Sequence, residues 1–187
     1  DSKEDMQKAA MLDPVQWRYG QHLAQMYYDS EDYTKAAEVA GEYFSKDKEN
    51  FHIGDTYVKS LIALKQFKKA DQVMSKLWIL PFEGQSGSRA MYREIKVNLA
   101  ADCMDRGKYK EAAKYLIEAR QWPDRLGVGK PYDYLIDSTL ENWMDAVLCQ
   151  RTGDSAKAAE YMEIVSSSED AEIWKQAFED VTKKIAG

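Results

Sequence analysis

The hydrophobic positions of the chain recur at helical spacing, and one pattern of them returns four times. The segments "DYTKAAEVAGEYF" and "QFKKADQVMSKLW" align without gaps at a separation of 34 residues. With two later copies, the four segments span 32–44, 66–78, 108–119 and 154–165. Each has an alanine at the same place, namely Ala36, Ala70, Ala112 and Ala158. Three residues before it stands an aromatic or its replacement, namely Tyr33, Phe67, Tyr109 and Ser155.

A second amphipathic stretch precedes each segment, so the predicted unit is a helix, a short turn and another helix. The core-facing residues predicted for these first helices are Leu23, Ala24, Tyr27, Tyr57, Val58, Leu61, Leu99, Ala100, Cys103, Ala146 and Cys149. Gly107 and Gly153 suit a left-handed residue that ends the first helix, and Asp154 suits an N-cap for the second. The repeated alanine lets the two helices of one hairpin approach closely.

This period, the G-x-Y-x-x-A turn and the small-residue positions resemble the tetratricopeptide repeat, best of all in "GKYKEAAKYLIEA". The resemblance implies an all-α fold, an α-α superhelix or TPR-like solenoid of about four helical hairpins. An N-terminal partial repeat and a C-terminal capping helix complete the predicted architecture. The alternative is a generic bundle of α-hairpins.

The two ends of the sequence look like parts of the same array. The stretch 8–14 is typical of the end of a second helix, with Pro14 closing the repeat. We therefore expect residues 1–187 to form one repeat domain that belongs to a longer protein. The tail, 168–187, is predicted to be one amphipathic helix that caps the array. Its inward residues are predicted to be Ile173, Trp174, Ala177, Phe178, Val181 and Ile185.

Two extra lengths of chain interrupt the rhythm, within 80–89 and 121–133. Both fall after a second helix, so the two loops are expected to emerge on one edge of the array. They have two interpretations: padding that tucks Phe82, Trp122 and Leu126 over the hairpin ends, or a ligand-binding role. Glu83 is a candidate helix cap or a recognition carboxylate.

The same loops resemble the C-terminal repeats of a family of large bacterial proteins, with "P-W/F-E-G-x-x-G" and "P-E-N-L-G-x-G-K" segments in the same order. The likeness covers roughly residues 50–165, and Asp124 and Arg125 depart from the second segment. The family resemblance implies an upstream β-sandwich domain of unknown function, grouped with carbohydrate-active proteins. The matching residues are Pro81, Phe82, Glu83, Gly84, Gly87, Pro123, Leu126, Gly127, Gly129 and Lys130.

The net charge and the lengths of the apolar runs restrict the classes of partner that the sequence predicts. The net charge is −6 without a clustered Lys/Arg stripe, which disfavours nucleic acid. No apolar run approaches the ~18 residues of a membrane span. The sequence predicts no compartment.

No catalytic, metal or cofactor motif is predicted. "GVGK" (127–130) lacks the strand, the spacing and the Ser or Thr of a phosphate loop. His22 and His52 have no ligand cluster around them, and half-exposed surface positions are expected. Cys103 and Cys149 are predicted to be free, buried thiols.

The first helices of such a superhelix line its concave face, which predicts a partner-binding groove suited to an extended peptide or a helix. The alternative is an ordinary solvated face, or one that the rest of a longer protein covers. The predicted groove residues are Arg18, Gln21, Gln25, Tyr28, His52, Asp55, Lys59, Glu94, Asp105, Trp143 and Arg151.

Two functions therefore compete. The first is a non-catalytic scaffold for protein–protein or interdomain contact. The second is an accessory region of a carbohydrate-processing or carbohydrate-binding bacterial protein, with the loops beside a sugar site. The loop candidates for that role are Phe82, Glu83, Trp122, Arg125 and Lys130.

Overall fold

The computed structural model describes residues 2–81, 86–168 and 173–186, and these residues form α-helices and two 3₁₀ turns but no β-strand. The 3₁₀ turns span Asp124–Leu126 and Asp133–Leu135. The helices are α1 (Lys3–Leu12), α2 (Trp17–Asp29), α3 (Tyr33–Lys46), α4 (Phe51–Ala63), α5 (Phe67–Met74), α6 (Gly87–Asp105), α7 (Tyr109–Ala119), α8 (Thr139–Arg151), α9 (Ser155–Ser166), α10 (Ile173–Ala177) and α11 (Glu179–Ala186).

The four predicted turns have one backbone geometry. In each, a residue of positive φ follows the first helix, at Glu31 (61°), Lys65 (56°), Gly107 (69°) and Gly153 (86°). The next N–H bonds back to the carbonyl five residues earlier at 2.8–2.9 Å, as Asp32 does to Tyr27. The positive-φ residue bonds three residues back, which completes a Schellman motif. The predicted roles of Gly107, Gly153 and Asp154 are confirmed, and Asp154 accepts a bond from the Lys157 N–H.

The chain groups into two compact units. Unit 1 comprises residues 1–95 and 123–128, and unit 2 comprises 96–122 and 129–187. Consecutive helices pack side by side within each unit, α1 to α5 in the first and α7 to α9 in the second. The all-α, TPR-like hairpin architecture is therefore confirmed, whereas a single repeat domain over 1–187 stays a prediction.

Glycines bring the helices of unit 1 into close contact. Gly20 in α2 and Gly54 in α4 occupy the same place in successive repeats. A Cβ on Gly20 would lie 2.3 Å from the Tyr43 ring, and one on Gly54 would lie 2.4 Å from Leu77. The ring of Tyr43 in α3 and the side chain of Leu77, which follows α5, therefore fill the places of the missing methyl groups. Ala36 and Ala70 are fully buried, as the close approach within a hairpin requires.

The second interrupting loop folds onto the first within unit 1. The Ile79 N–H donates to the Arg125 carbonyl at 2.7 Å, and the Ser88 hydroxyl donates to the Leu126 carbonyl at 2.8 Å. Leu126 is 1% exposed. Gly127 has φ of 67°, and a Cβ there would lie 2.5 Å from the Ile79 carbonyl oxygen. The two loops thus contact each other within unit 1, and Leu126 acts as padding.

The tail of unit 2 differs from the prediction. It forms two short helices, α10 and α11, that break at Phe178 instead of one helix. Trp174, Val181 and Ile185 are buried as predicted, but Ile173 is 65% exposed and Ala177 is exposed. Ile173 and Ala177 each lie one residue before a position of the stripe that does face inward, which consists of Trp174, Phe178, Val181 and Ile185.

Nor does the tail cover the outer face of the last hairpin. A groove of about 380 Å³ remains between α8 and α9, lined by Ala146, Ala158 and Met162 among others. Met162 is 41% exposed, whereas Leu116, its equivalent in α7, is fully buried. Ala158 is consequently only half-buried, unlike its three counterparts.

Both cysteines are free, but the prediction that they are buried is wrong, since each is half-exposed. The Cys103 thiol lies 3.8 Å from the Glu111 carboxylate, which stands at the polar edge of the hairpin. Burial and that carboxylate raise the pKa of Cys103. Among the described residues, no helix is long and apolar enough to cross a membrane.

Candidate partner-binding groove

The first helices of unit 1 enclose a cavity of about 300 Å³. Gln21 and Gln25 line it from α2, and the start of α6 contributes Gly87 and Ser88. The side contributed by α4 consists of Phe51, His52, Asp55, Thr56 and Lys59, and Ile79 completes the wall. Five predicted groove residues therefore lie around one cavity, namely Gln21, Gln25, His52, Asp55 and Lys59.

Aromatic rings line one end of the groove. The His52 imidazole stacks on the Trp17 indole, with 5.3 Å between centroids and planes 5° apart. Phe51 packs against the same imidazole at 3.9 Å. The Arg18 guanidinium lies 4.7 Å from the Trp17 ring, a cation–π distance. This end presents flat rings beside a cation, although His52 and Arg18 remain exposed.

Paired polar groups form the middle of the groove. The Lys59 ammonium contacts the Asp55 carboxylate at 2.6 Å, one turn apart on α4. On α2, the Gln25 amide donates to Asp29 at 2.7 Å. These side chains are partly exposed, so a backbone N–H or C=O of a bound peptide can exchange for the internal partners.

Tyr28 and Glu94, two further predicted groove residues of unit 1, do not line the cavity but lie within electrostatic range of each other. Burial raises the pKa of Tyr28, and the charges of Lys59 and Glu94 also act on its hydroxyl. Burial likewise raises the pKa of the Glu94 carboxyl. Both side chains are half-buried. Tyr28 also meets Tyr33 edge to face at 5.2 Å, which fixes its ring.

The remaining predicted groove residues are Asp105, Trp143 and Arg151, which lie in unit 2. Asp105 is exposed at the end of α6. Trp143 packs against Trp174 of the tail, with 5.4 Å between centroids. The Arg151 guanidinium donates to the carbonyls of Met104 and Ile185, at 3.2 and 2.7 Å. Trp143 and Arg151 thus contact the chain's own tail.

Three of the five loop candidates lie in the part of the chain that the structure describes, Arg125 in unit 1 and Trp122 and Lys130 in unit 2. Phe82 and Glu83 lie outside the described residues. Arg125 donates to the Met74 carbonyl at 2.5 Å and lies over the Tyr92 ring, so it fixes the loop of unit 1. In unit 2, Trp122 is half-buried, and Lys130 is exposed and pairs with Asp133 at 2.7 Å.

Two aromatic features were not predicted from the sequence. Trp17, which stacks on His52, is not among the predicted groove residues, although it begins the first helix of its repeat directly before Arg18. Tyr132 and Tyr134 stack on each other in unit 2, 5.7 Å apart and 73% and 81% exposed. Their alternate spacing in "PYDYL" was the available signal.

No cluster suited to metal binding occurs within 2–81, 86–168 and 173–186, where no three His, Cys, Asp or Glu side chains converge. The histidines agree with the surface positions expected for them, since His22 and His52 are both exposed. The described groove residues offer ring stacking, hydrogen bonding and paired charge.

Comparison with known proteins adds little to this geometry. No protein-family model matches the chain, and no curated protein does so. A solved structure from the functional characterization of Pseudomonas aeruginosa PilF is similar at 15% identity. The match covers 93% of this chain and 72% of that one, with a TM-score of 0.48.

Proposed function

We propose that this protein is a non-catalytic, TPR-like scaffold that binds a protein or peptide partner in the groove of unit 1. The observation that supports the proposal most is the cavity of about 300 Å³ between the first helices. It combines a ring stack, an ion pair and amide groups, and proteins recognise extended peptides through such mixtures of apolar and polar contacts. The proposal includes interdomain contact, in which a folded domain takes the place of the peptide.

The mixed charge of the groove restricts the kind of peptide that it can bind. Lys59 and Asp55 are neighbours, Arg18 lies at the aromatic end, and the Glu94 carboxyl lies within electrostatic range of Tyr28. A strongly charged peptide would meet like charge somewhere along this surface. The expected partner therefore has an aromatic or aliphatic anchor for the ring stack and a polar, nearly neutral segment beside it.

A displayed random-peptide library, selected on the immobilised full chain, tests the proposal. Selected peptides are expected to lose at least about ten-fold in affinity on Asp55→Lys and on His52→Ala, because both residues line the cavity and central contacts dominate binding. Glu38→Lys is the matched control, since it makes the same charge change on the exposed side of α3. Binders that tolerate the groove variants and fail on Glu38→Lys would contradict the proposal.

The carbohydrate role remains the second candidate, and the exposed Tyr132–Tyr134 pair favours it. Flat, exposed rings with a polar tip suit a ligand that has one apolar face and several hydroxyls. Glycan-array binding that disappears in Trp122→Ala or Tyr134→Ala would support this role. Arg125 is better explained as a structural residue, because its guanidinium is engaged by Met74 and Tyr92.

A further inference from the structure

The first-helix face of unit 2 is apolar where that of unit 1 is polar. Aligned on the repeated alanine, Gln21, Gln25 and Tyr28 of α2 correspond to Val97, Ala101 and Met104 of α6. The same alignment places Trp143 and Val147 on α8. Val97, Ala101 and Met104 are at most 1% exposed, so this face is covered although it is the equivalent of an open groove.

The tail helices cover it. Trp174, Val181 and Ile185 belong to the same apolar cluster as Val97 and Met104, with Phe178 packed against that cluster. The Lys184 ammonium contacts the Asp102 carboxylate of α6. On α8, Arg151 donates to the Ile185 carbonyl at 2.7 Å. The α10–α11 pair therefore lies across α6 and α8, where a groove ligand would lie.

The tail has the residue pattern of a helix that binds in a groove. Its apolar anchors are Trp174, Phe178, Val181 and Ile185, at i, i+4, i+7 and i+11. With five and eight residues, α10 and α11 are shorter than the ~12–15 residues that an isolated helix needs in water. Packing therefore holds them in place.

One polar group of the tail lacks a hydrogen-bond partner among the described residues. The Trp174 indole N–H is buried and has no hydrogen-bond acceptor among the described residues. A buried donor without an acceptor is destabilising. A longer helix with an acceptor near this position would bind the same face better than the tail does.

From these contacts we propose that the first-helix face of unit 2 is a second recognition site, for an amphipathic helix of another protein. The partner helix carries aromatic residues at i and i+4, aliphatic residues at i+7 and i+11, and a basic residue just before the last anchor to meet Asp102. In the free chain, α10 and α11 occupy the site, and the partner binds by displacing them. This site does not depend on the groove of unit 1.

Fluorescence anisotropy with a labelled peptide of residues 173–186 tests the proposal on the full chain. The parent chain should bind the probe weakly, because only the fraction of molecules with a displaced tail is competent. Val181→Asp with Ile185→Asp releases the tail and should tighten binding by at least about ten-fold. Gln176→Asp, at an exposed position of α10, is the matched control and should behave as the parent.

Two further variants test the contact with Asp102 and the apolar face itself. Lys184→Glu replaces the contact with Asp102 by repulsion and leaves the apolar cluster intact, so it should speed amide exchange in α11 and tighten probe binding. Ala101→Arg, added to the tail-released chain, fills the face and should abolish binding. Equal affinity for the parent, the double variant and Lys184→Glu would overturn the proposal. Binding that survives Ala101→Arg would overturn it too.

Discussion

Lys65 is expected to be a poor residue for the turn that it occupies, and replacing it with glycine should stabilise unit 1. Its φ of 56° lies in the left-handed region, which Gly107 and Gly153 occupy in the equivalent turns. An L-residue there costs about 1–2 kcal/mol. Glycine removes this strain but adds about 0.5–1 kcal/mol of chain entropy to the unfolded state. The net gain is about 0.5–1 kcal/mol.

Urea unfolding followed by circular dichroism measures this gain. The fair comparison is Lys65→Gly against Lys65→Ala, because both lose the side chain and only one retains the strain. The midpoint should rise by about 0.3–0.5 M with an unchanged slope, given about 1–3 kcal/mol per molar urea. Glu31→Gly against Glu31→Ala should repeat the result.

Two glycines serve as controls. Gly107→Ala should lose a similar amount, because a Cβ there meets nothing within 4 Å and only the backbone strain is added. Gly129→Ala should not destabilise the chain, because its Cβ is equally unobstructed and its φ is not positive. The reasoning about turns is refuted if Lys65→Gly is no more stable than Lys65→Ala while Gly107→Ala and Gly129→Ala behave alike.

Three other predictions concern the loop contact and the half-buried carboxyl group of Glu94. Leu126→Ala should destabilise unit 1 by about 2–5 kcal/mol in urea unfolding, because its side chain is fully enclosed. Gly127→Ala should be worse than Gly107→Ala, since its Cβ would also collide with the Ile79 carbonyl; equal losses would contradict the docked loop. Glu94→Gln should raise the free energy of unfolding at pH 7. Burial holds the pKa of Glu94 up, so the stability that its neutral form contributes below about pH 4.3 is lost as pH rises through the folded-state pKa. The advantage of glutamine should accordingly disappear near pH 4, and a pH-independent advantage would contradict it.

The helices and their turns were predictable because local patterns determine them. The repeated alanines, the glycines of the last two turns and the Asp154 cap each act within one hairpin. The left-handed conformation of Glu31 and Lys65 was predictable too, since alignment of the repeats places these residues opposite Gly107 and Gly153. Because neither residue is glycine, nothing in its own identity indicates the left-handed conformation that this turn of the repeat requires.

Non-local contacts were harder to predict. The hydrogen bond between Ile79 and Arg125 joins residues 46 positions apart in sequence, and the repeat pattern does not predict it. The tail was predicted to cap the last hairpin because end repeats usually need a cover. Val97, Ala101 and Met104 gave the missed signal, since apolar residues at groove positions need a covering partner, and the tail supplies it.

Chemical-shift mapping of ¹⁵N-labelled full chain with a selected peptide tests most directly whether the groove of unit 1 is the recognition surface. The account predicts that the largest changes fall on α2 and α4, at Gln21, Gln25, His52 and Asp55, with little change on α3 and α5. Changes concentrated on the second helices, or confined to residues 129–136, would contradict it.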